Sequence, residues 1–227
     1  LSLHRNTLPE VADMGVDAGK RLSVCLLTEG SYPHYRGGVS TWCNMLVSGL
    51  PEVRFSVISL VADPSAEPVY ELPKNVVDLV TVPLWGTGEV LELRRELSLL
   101  QVLGHKLRTP RRIIEAEFVP IFREFMDLVW LPEADAARFA GVLQEMGAYF
   151  QSYDYDVTMK SSAVWSAFLK ESAKGYERVE GRDSFQREVP LIDVTNTMRL
   201  LYRWLTVLTV TVPDVDVVHA ASGGLCS

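Results

Sequence analysis

One stretch near the start of the chain limits its possible folds more than any other. An unbroken apolar run within residues 22–27 leads into a loop that contains glycine and proline and ends at Gly37-Gly38. Such a run is typical of a strand buried on both faces of a parallel sheet. Apolar residues then recur at helical spacing, at Val39, Trp42, Leu46, Val47 and Leu50. The stretch therefore predicts a buried strand that turns through glycines into a helix.

A strand, a glycine loop and a helix in this order are suited to binding phosphate groups. Glycine lets an anion approach the backbone closely, and the first helical N–H groups have no partners within the helix. The helix N-terminus also carries about half a unit of positive charge. We therefore predict a nucleotide or phospho-sugar site at Gly37 and Gly38, the alternative being a tight turn without a ligand. Arg36 is expected either to pair with a diphosphate or to be a solvated loop arginine.

The rest of the chain predicts an α/β fold. Further strands are expected at residues 55–61 and 76–82, and a last one at 215–220. Helices are predicted between the third and the last strand, at 89–107, 110–127, 135–150, 163–174 and 191–210. Thr109 is expected to cap the second of these helices and Pro120 to kink it, and residues 175–190 are expected to form a polar loop.

The order of these elements predicts a Rossmann-like, doubly wound parallel sheet with a large helical insertion at about 88–212. Residues 1–20 are expected to be an N-terminal extension of a domain that spans 21–227. Ligands of such sheets bind at the carboxyl ends of the strands. The loops at Gly37-Gly38 and at residues 219–224 both leave strands at that edge, so we expect them to converge.

Charge and cysteine usage exclude several classes of protein. The net charge of −7 over 227 residues disfavours general nucleic-acid binding. Cys25, Cys43 and Cys226 do not have the spacing of a metal site, and we interpret them as reduced thiols, as is typical of a cytoplasmic protein. No signal peptide is recognisable, and the apolar segment 204–212 is too short to span a membrane.

The histidines are candidates of unequal strength. His219 is predicted to end the last strand, where it either hydrogen-bonds a sugar hydroxyl or serves as a structural histidine. His34 lies in the glycine loop and is a weaker candidate. His105 is expected at the surface.

Two pairs of aspartates have a spacing that occurs in divalent-metal sites. Asp214 and Asp216 precede a strand and would lie at the edge opposite the proposed site, while Asp154 and Asp156 fall among tyrosines after a helix. We therefore predict no metal site. Asp63, after the second strand, is interpreted as an ordinary loop aspartate.

The chain resembles the family-4 GT-B glycosyltransferases, and most closely their PelF-type branch, which serves Pel exopolysaccharide synthesis. The similar segments are RLSVCLLTEGSYP at 21–33, RGGVSTW at 36–42, LPE at 50–52 and DVVHAASG at 216–223. The resemblance extends from about residue 20 to the end and includes the long helical insertion. It is carried by the combined segments rather than by the two glycines alone.

The resemblance implies the N-terminal, acceptor-side lobe of a retaining transferase that uses a UDP-sugar, expected to be UDP-glucose, in the cytoplasm. It places Arg36, Gly37, Gly38 and Val39 near the donor diphosphate. It also assigns a set of residues to the acceptor side of the cleft: Glu29, His219, Ser222 and Gly223. No metal or other cofactor is expected, because helix dipoles and basic side chains stabilise the leaving diphosphate.

The same resemblance implies a second lobe, with the catalytic residues, beyond Ser227. The chain begins with Leu1 rather than Met, and residues 220–227 look like the start of another element, so we expect one domain of a longer protein that is inactive alone. Two alternatives stay open. One is a non-catalytic assembly module that docks membrane-bound components of a polysaccharide synthase. The other is a nucleotide-dependent oxidoreductase or epimerase, which the missing Gly-x-Gly-x-x-Gly pattern disfavours.

Overall fold

A sheet of four parallel strands forms the centre of the computed structural model, which describes residues 21–85, 98–131, 135–181 and 185–221. The strands are β1 (Ser23–Glu29), β2 (Arg54–Val61), β3 (Val76–Pro83) and β4 (Val217–Ala220), in the spatial order β3-β2-β1-β4. All three pairings are parallel. The predicted α/β, Rossmann-like class is confirmed.

Both faces of the central strands are buried, which explains why their sequences are mostly apolar. On one face, helix α1 (Gly38–Gly49) contributes Cys43 and Val47 to a cluster with strand residues that include Leu26 and Val57. On the opposite face, Cys25 lies in a second cluster, whose other buried members are Ile58, Leu60, Val82 and Leu84. The predicted bounds of α1 (38–50) and of the first three strands (21–28, 55–61 and 76–82) agree with the structure to within two residues.

A helical segment separates β3 from β4, as predicted. Its elements are α2 (Leu99–Arg108), α3 (Arg111–Ile113), a π-helical turn (Ile114–Phe118), α4 (Val119–Val129), α5 (Ala136–Ser152), α6 (Tyr155–Met159), α7 (Ser162–Glu180), α8 (Phe185–Glu188), α9 (Leu191–Leu205) and a 3-10 turn (Thr206–Thr209). These helices have a core of their own, in which Phe118, Phe122 and Phe150 are fully buried. Residues 1–20, 88–97 and 222–227, for which we predicted an extension, part of the insertion and a loop, lie outside the described residues.

The predicted kink at Pro120 corresponds to a π-helical turn that directly precedes α4. Proline has no N–H to donate to the carbonyl four residues earlier, and its ring would collide with that carbonyl in a regular α-helix. A π turn widens the helix at this point and accommodates the ring. The predicted cap at Thr109 is wrong, because Pro110 is the N-cap residue. The Thr109 hydroxyl instead donates to His105 O (2.6 Å) and accepts from Asp154 N (2.8 Å).

The predicted polar loop at 175–190 is also wrong, because α7 continues to Glu180 and α8 follows. Gly175 is a helical residue against which Trp130 packs: a Cβ at this position would lie 2.2 Å from two atoms of the indole. The glycine that ends α7 is Gly181, whose φ of +70° favours that residue. The local sequence suggested that the helix ends at Gly175, but glycine is needed there because the Trp130 indole packs against the backbone of α7.

His105, expected at the surface, is buried. It lies on the inner face of α2, whereas the outer face carries leucines that are 81%, 55% and 83% exposed, at Leu100, Leu103 and Leu107. The apolar periodicity of this segment therefore marks an outward face, and the histidine lies on the packed side. Within the described ranges, no helix has both the length and the apolarity needed to cross a membrane.

Candidate functional site

The loop after β1 is held at the carboxyl edge of the sheet by hydrogen bonds to its own strand and to β2. Gly30 turns the chain with a φ of +52°, a conformation that favours glycine, and its N–H donates to Leu60 O (2.9 Å). The carbonyl of Tyr32 accepts from Thr28 Oγ1 (2.5 Å) and from Ser59 Oγ (3.2 Å). The loop is therefore fixed before the chain reaches Gly37.

His34 is the side chain that ties this loop across the sheet. It is only 3% exposed, with Nδ1 lying 3.2 Å from Ser59 Oγ on β2 and Nε2 lying 3.2 Å from Thr81 Oγ1 on β3. Because the Ser59 hydroxyl donates to Tyr32 O, it accepts from Nδ1–H, and Nε2 accepts from Thr81. Burial lowers the pKa of His34 from its ordinary value, which favours this neutral form.

Sequence reasoning ranked His34 below His219 and missed this role. Ser59 and Thr81 lie 25 and 47 residues further along the chain, so no local pattern marks them as its partners. The parallel register places them at neighbouring positions near the carboxyl ends of their strands, opposite each other in the β2–β3 pairing. Only the sheet makes the relationship visible.

Gly37 and Gly38 form an exposed turn at the start of α1. Gly37 is the N-cap residue, in an extended conformation (φ 171°) that any residue adopts, and no side chain caps the helix. A Cβ built at either glycine would have no heavy atom within 4 Å. Neither backbone conformation nor packing within the described chain requires glycine here, in contrast to Gly30. The backbone of the turn is therefore accessible to a ligand from the solvent.

The surroundings of this turn favour an anion. Arg36 is exposed and forms no hydrogen bond or ion pair with any residue in the described ranges. The first turn of α1 contains no acidic side chain, so the positive end of the helix is not neutralised from within. Val39, also predicted for this site, is 39% exposed. The predicted diphosphate residues are therefore contiguous and accessible.

The predicted acceptor residues are only partly brought together. Glu29 ends β1 and is half-buried. His219 lies within β4, level with Leu26 and three positions before the end of β1, rather than in the loop at the edge. Its ring centroid is 5.4 Å from that of Trp42, with 34° between the planes. Sequence reasoning used Trp42 as an apolar helix position and as part of the resembling segment 36–42, not as a site residue. Ser222 and Gly223 lie outside the described residues.

Three of the four paired aspartates have structural partners, namely Asp154, Asp156 and Asp216. Asp154 caps α6 by accepting from Val157 N (2.8 Å), and Asp156 pairs with Lys160 Nζ (3.0 Å). Asp216 Oδ2 accepts from both the N–H (2.9 Å) and the hydroxyl (2.7 Å) of Ser23, at the edge opposite the glycine turn. Within the residues that the structure describes, no group of three or more His, Cys, Asp or Glu side chains is placed to hold a metal ion.

The other polar candidates also have structural surroundings. Asp63 Oδ1 accepts from the N–H (2.9 Å) and the hydroxyl (2.7 Å) of Ser65, and these hydrogen bonds lower the pKa of the carboxyl group. Cys25 and Cys43 are buried free thiols, and burial raises the pKa of Cys43 to about 11. Cys226 lies outside the described residues.

Comparison with known protein families finds a match along most of the chain. The family described as "Domain of unknown function (DUF3492)" matches residues 22–227. No curated protein matches the chain, and no solved structure matches it. The matched range includes the glycine turn, Trp42 and β4.

Proposed function

The chain belongs to the DUF3492 family, and on this premise we propose that it is the acceptor-side lobe of a retaining GT-B glycosyltransferase. DUF3492 domains are associated with glycosyltransferase-like proteins. The resemblance of residues 21–42 to the PelF-type branch supports a UDP-sugar donor, UDP-glucose in the first instance, and a role in exopolysaccharide synthesis in the cytoplasm. The parallel sheet with its ligand edge is compatible with this proposal.

The observation that carries the proposal is the open backbone at Gly37 and Gly38. Glycine lowers helix stability relative to alanine, and here no positive φ or neighbouring atom compensates for that cost. A ligand that approaches the backbone more closely than a Cβ would allow explains why both positions are glycine. A diphosphate is such a ligand, because it accepts hydrogen bonds from exposed N–H groups.

The chain's own residues would act on the leaving group of the reaction. As the bond between the sugar and UDP breaks, negative charge develops on the diphosphate. The N-terminus of α1 and the guanidinium of Arg36 would stabilise that charge, and His34 would hold the turn in place beforehand. The proposal requires neither metal nor other cofactor, and it assigns the catalytic residues to a second lobe. These 227 residues alone are therefore expected to transfer no sugar.

A calorimetric titration tests the proposal directly. UDP and UDP-glucose are titrated into this chain and into a version extended along its open reading frame, each with and without Gly38→Val. We expect binding to the extended version, little or none to this chain, and at least a roughly tenfold weaker Kd with Gly38→Val, because the side chain blocks the approach to the backbone. Absence of binding to the extended version would reject a UDP-sugar transferase.

A second candidate function, a docking module, is favoured by the outer face of α2. Its leucines are spaced three and four residues apart, as in the seam of a helix pair, and Lys106 and Arg108 are exposed beside them. The partner would be a membrane-bound component of a polysaccharide synthase. In the extended version, Leu103→Glu should abolish co-purification of such a component and leave UDP binding intact, whereas Gly38→Val should do the reverse. If Leu103→Glu changes neither property, the docking function fails.

A further inference from the structure

An aromatic pair lies beside the glycine turn and has no part in anchoring it. The pair consists of Trp42, on the second turn of α1, and His219, on β4. Trp42 is 45% exposed and His219 is also exposed. Side chains of a helix lean towards its N-terminus, so the indole extends back towards the turn that contains Gly38, four residues earlier.

The sheet register explains why the two rings meet. His219 pairs with Leu26, and side chains at paired positions of parallel strands lie on the same face. Leu26 belongs to the cluster that packs beneath α1, so His219 is on the α1 side of the sheet as well. Within the part of the chain that the structure describes, both rings are exposed.

Two adjacent, accessible rings are suited to binding a sugar. The face of an indole has a negative electrostatic potential, and the C–H hydrogens on one face of a pyranose carry a small positive partial charge. The two surfaces therefore attract each other. The imidazole adds nitrogen atoms that can hydrogen-bond a hydroxyl at the edge of the sugar. A few polar groups placed beside an aromatic surface are typical of small-ligand sites.

We propose that Trp42 and His219 form a subsite for a pyranose ring of the acceptor glycan. This inference rests on the proposed function, since it places the glycan about one helical turn from the diphosphate turn. Trp42 provides the stacking surface, and His219 positions the ring through its hydroxyl groups. Glycan recognition by this lobe then depends on residues distinct from those that contact the diphosphate.

The test uses two oligosaccharide probes, cellotetraose and chitotetraose, with saturation-transfer NMR and fluorescence titration of the chain. We expect one of them to bind, Trp42→Ala to weaken it roughly tenfold, and Trp42→Phe to weaken it less, since an aromatic contact is reduced rather than removed. His219→Ala should weaken binding by about threefold, the loss of one exposed hydrogen bond. Trp204→Ala is the matched control, because Trp204 is 48% exposed on α9, and it should bind normally.

Several results would overturn the subsite. Two of these are unchanged oligosaccharide binding by Trp42→Ala and binding of neither oligosaccharide. A third is a Trp42→Ala loss restricted to UDP binding by the extended version, which would indicate stacking of a base. A fourth is a sedimentation coefficient changed by Trp42→Ala, which would indicate contact between copies of the chain. UDP titration of the extended version separates the two proposals. If UDP binds and both oligosaccharides fail, the subsite alone is rejected; if none of them binds, both proposals are rejected. Thermal unfolding of Trp42→Phe and Trp42→Ala checks that each variant is folded.

Discussion

The Nε2 atom of His34 lies 3.2 Å from Thr81 Oγ1, which ties the loop after β1 to a strand 47 residues further along the chain. Its other ring nitrogen contacts Ser59, which in turn donates to the backbone of the same loop. The glycine turn is therefore held from below by a buried, neutral imidazole. A site whose backbone must meet an anion benefits from such fixation, because little reorganisation then remains to be done on binding.

Replacing His34 should change the pH dependence of stability. The pKa of His34 in the folded chain is lowered from its ordinary 6.5 by burial. Well above pH 6.5 the imidazole is neutral in both the folded and the unfolded chain, and its contribution to stability is complete. As the pH falls below that value, the unfolded chain binds a proton that the folded chain does not, so the free energy of unfolding decreases. His34→Gln cannot titrate, and its urea midpoint should fall less between pH 7.5 and 5.5.

His219→Gln provides the control for that measurement, because His219 is exposed. Its midpoint should follow the unmodified chain over the same range. Equal pH dependence of the unmodified chain and His34→Gln would contradict the assignment of a neutral, buried imidazole. His34→Ala should cost about 1–3 kcal/mol, since it leaves the hydroxyls of Ser59 and Thr81 without this partner.

Substitutions at the glycine turn should affect stability and ligand binding in opposite directions. Gly38→Ala should raise the free energy of unfolding by up to about 1 kcal/mol, because alanine is the better helix former and its Cβ meets no atom. Gly37→Ser should add a few tenths of a kcal/mol by capping α1. Both should weaken UDP binding by the extended version, measured by calorimetry. Variants that are stabilised and still bind UDP normally would show that the turn contacts no diphosphate.

Replacing each of two helical glycines by alanine should change the stability of the chain in opposite directions. Gly175→Ala places a methyl group 2.2 Å from the Trp130 ring and should destabilise the chain by about 1–3 kcal/mol. Gly141→Ala, in α5, meets no atom within 4 Å and should stabilise it by about 0.5–1 kcal/mol. Urea unfolding of both variants measures the difference. A neutral result for Gly175→Ala would mean that Trp130 can move aside without loss.

The two aspartates before β4 should differ although they share one pattern. Asp216→Ala removes two hydrogen bonds to Ser23, between the start of β1 and β4, and should cost about 1 kcal/mol. Asp214→Ala, at an exposed position, should have little effect on unfolding. UDP binding by the extended version should be unchanged by EDTA and by either variant. Loss of binding on addition of EDTA would instead indicate a metal-dependent site.

The sequence by itself determined the elements with strong local signals. Residues 24–27 are continuous in apolar character because β1 is buried on both faces, and Gly37-Gly38 mark a turn because a helix begins there. The parallel sheet followed from the order of these elements, since parallel strands require crossover connections. The candidate diphosphate residues could be proposed from the sequence as one group, because they are neighbours along the chain.

Tertiary structure decided the relationships that join distant residues. Three such relationships are the burial of His34 between Ser59 and Thr81, the contact of the Trp42 and His219 rings, and the packing of Trp130 against Gly175. Each joins residues separated by at least 25 positions along the chain. Local periodicity cannot encode such pairs, because it reports only which face of an element is apolar. Sheet register and helix packing determine which residue on that face meets which partner, and thereby which candidates form a site.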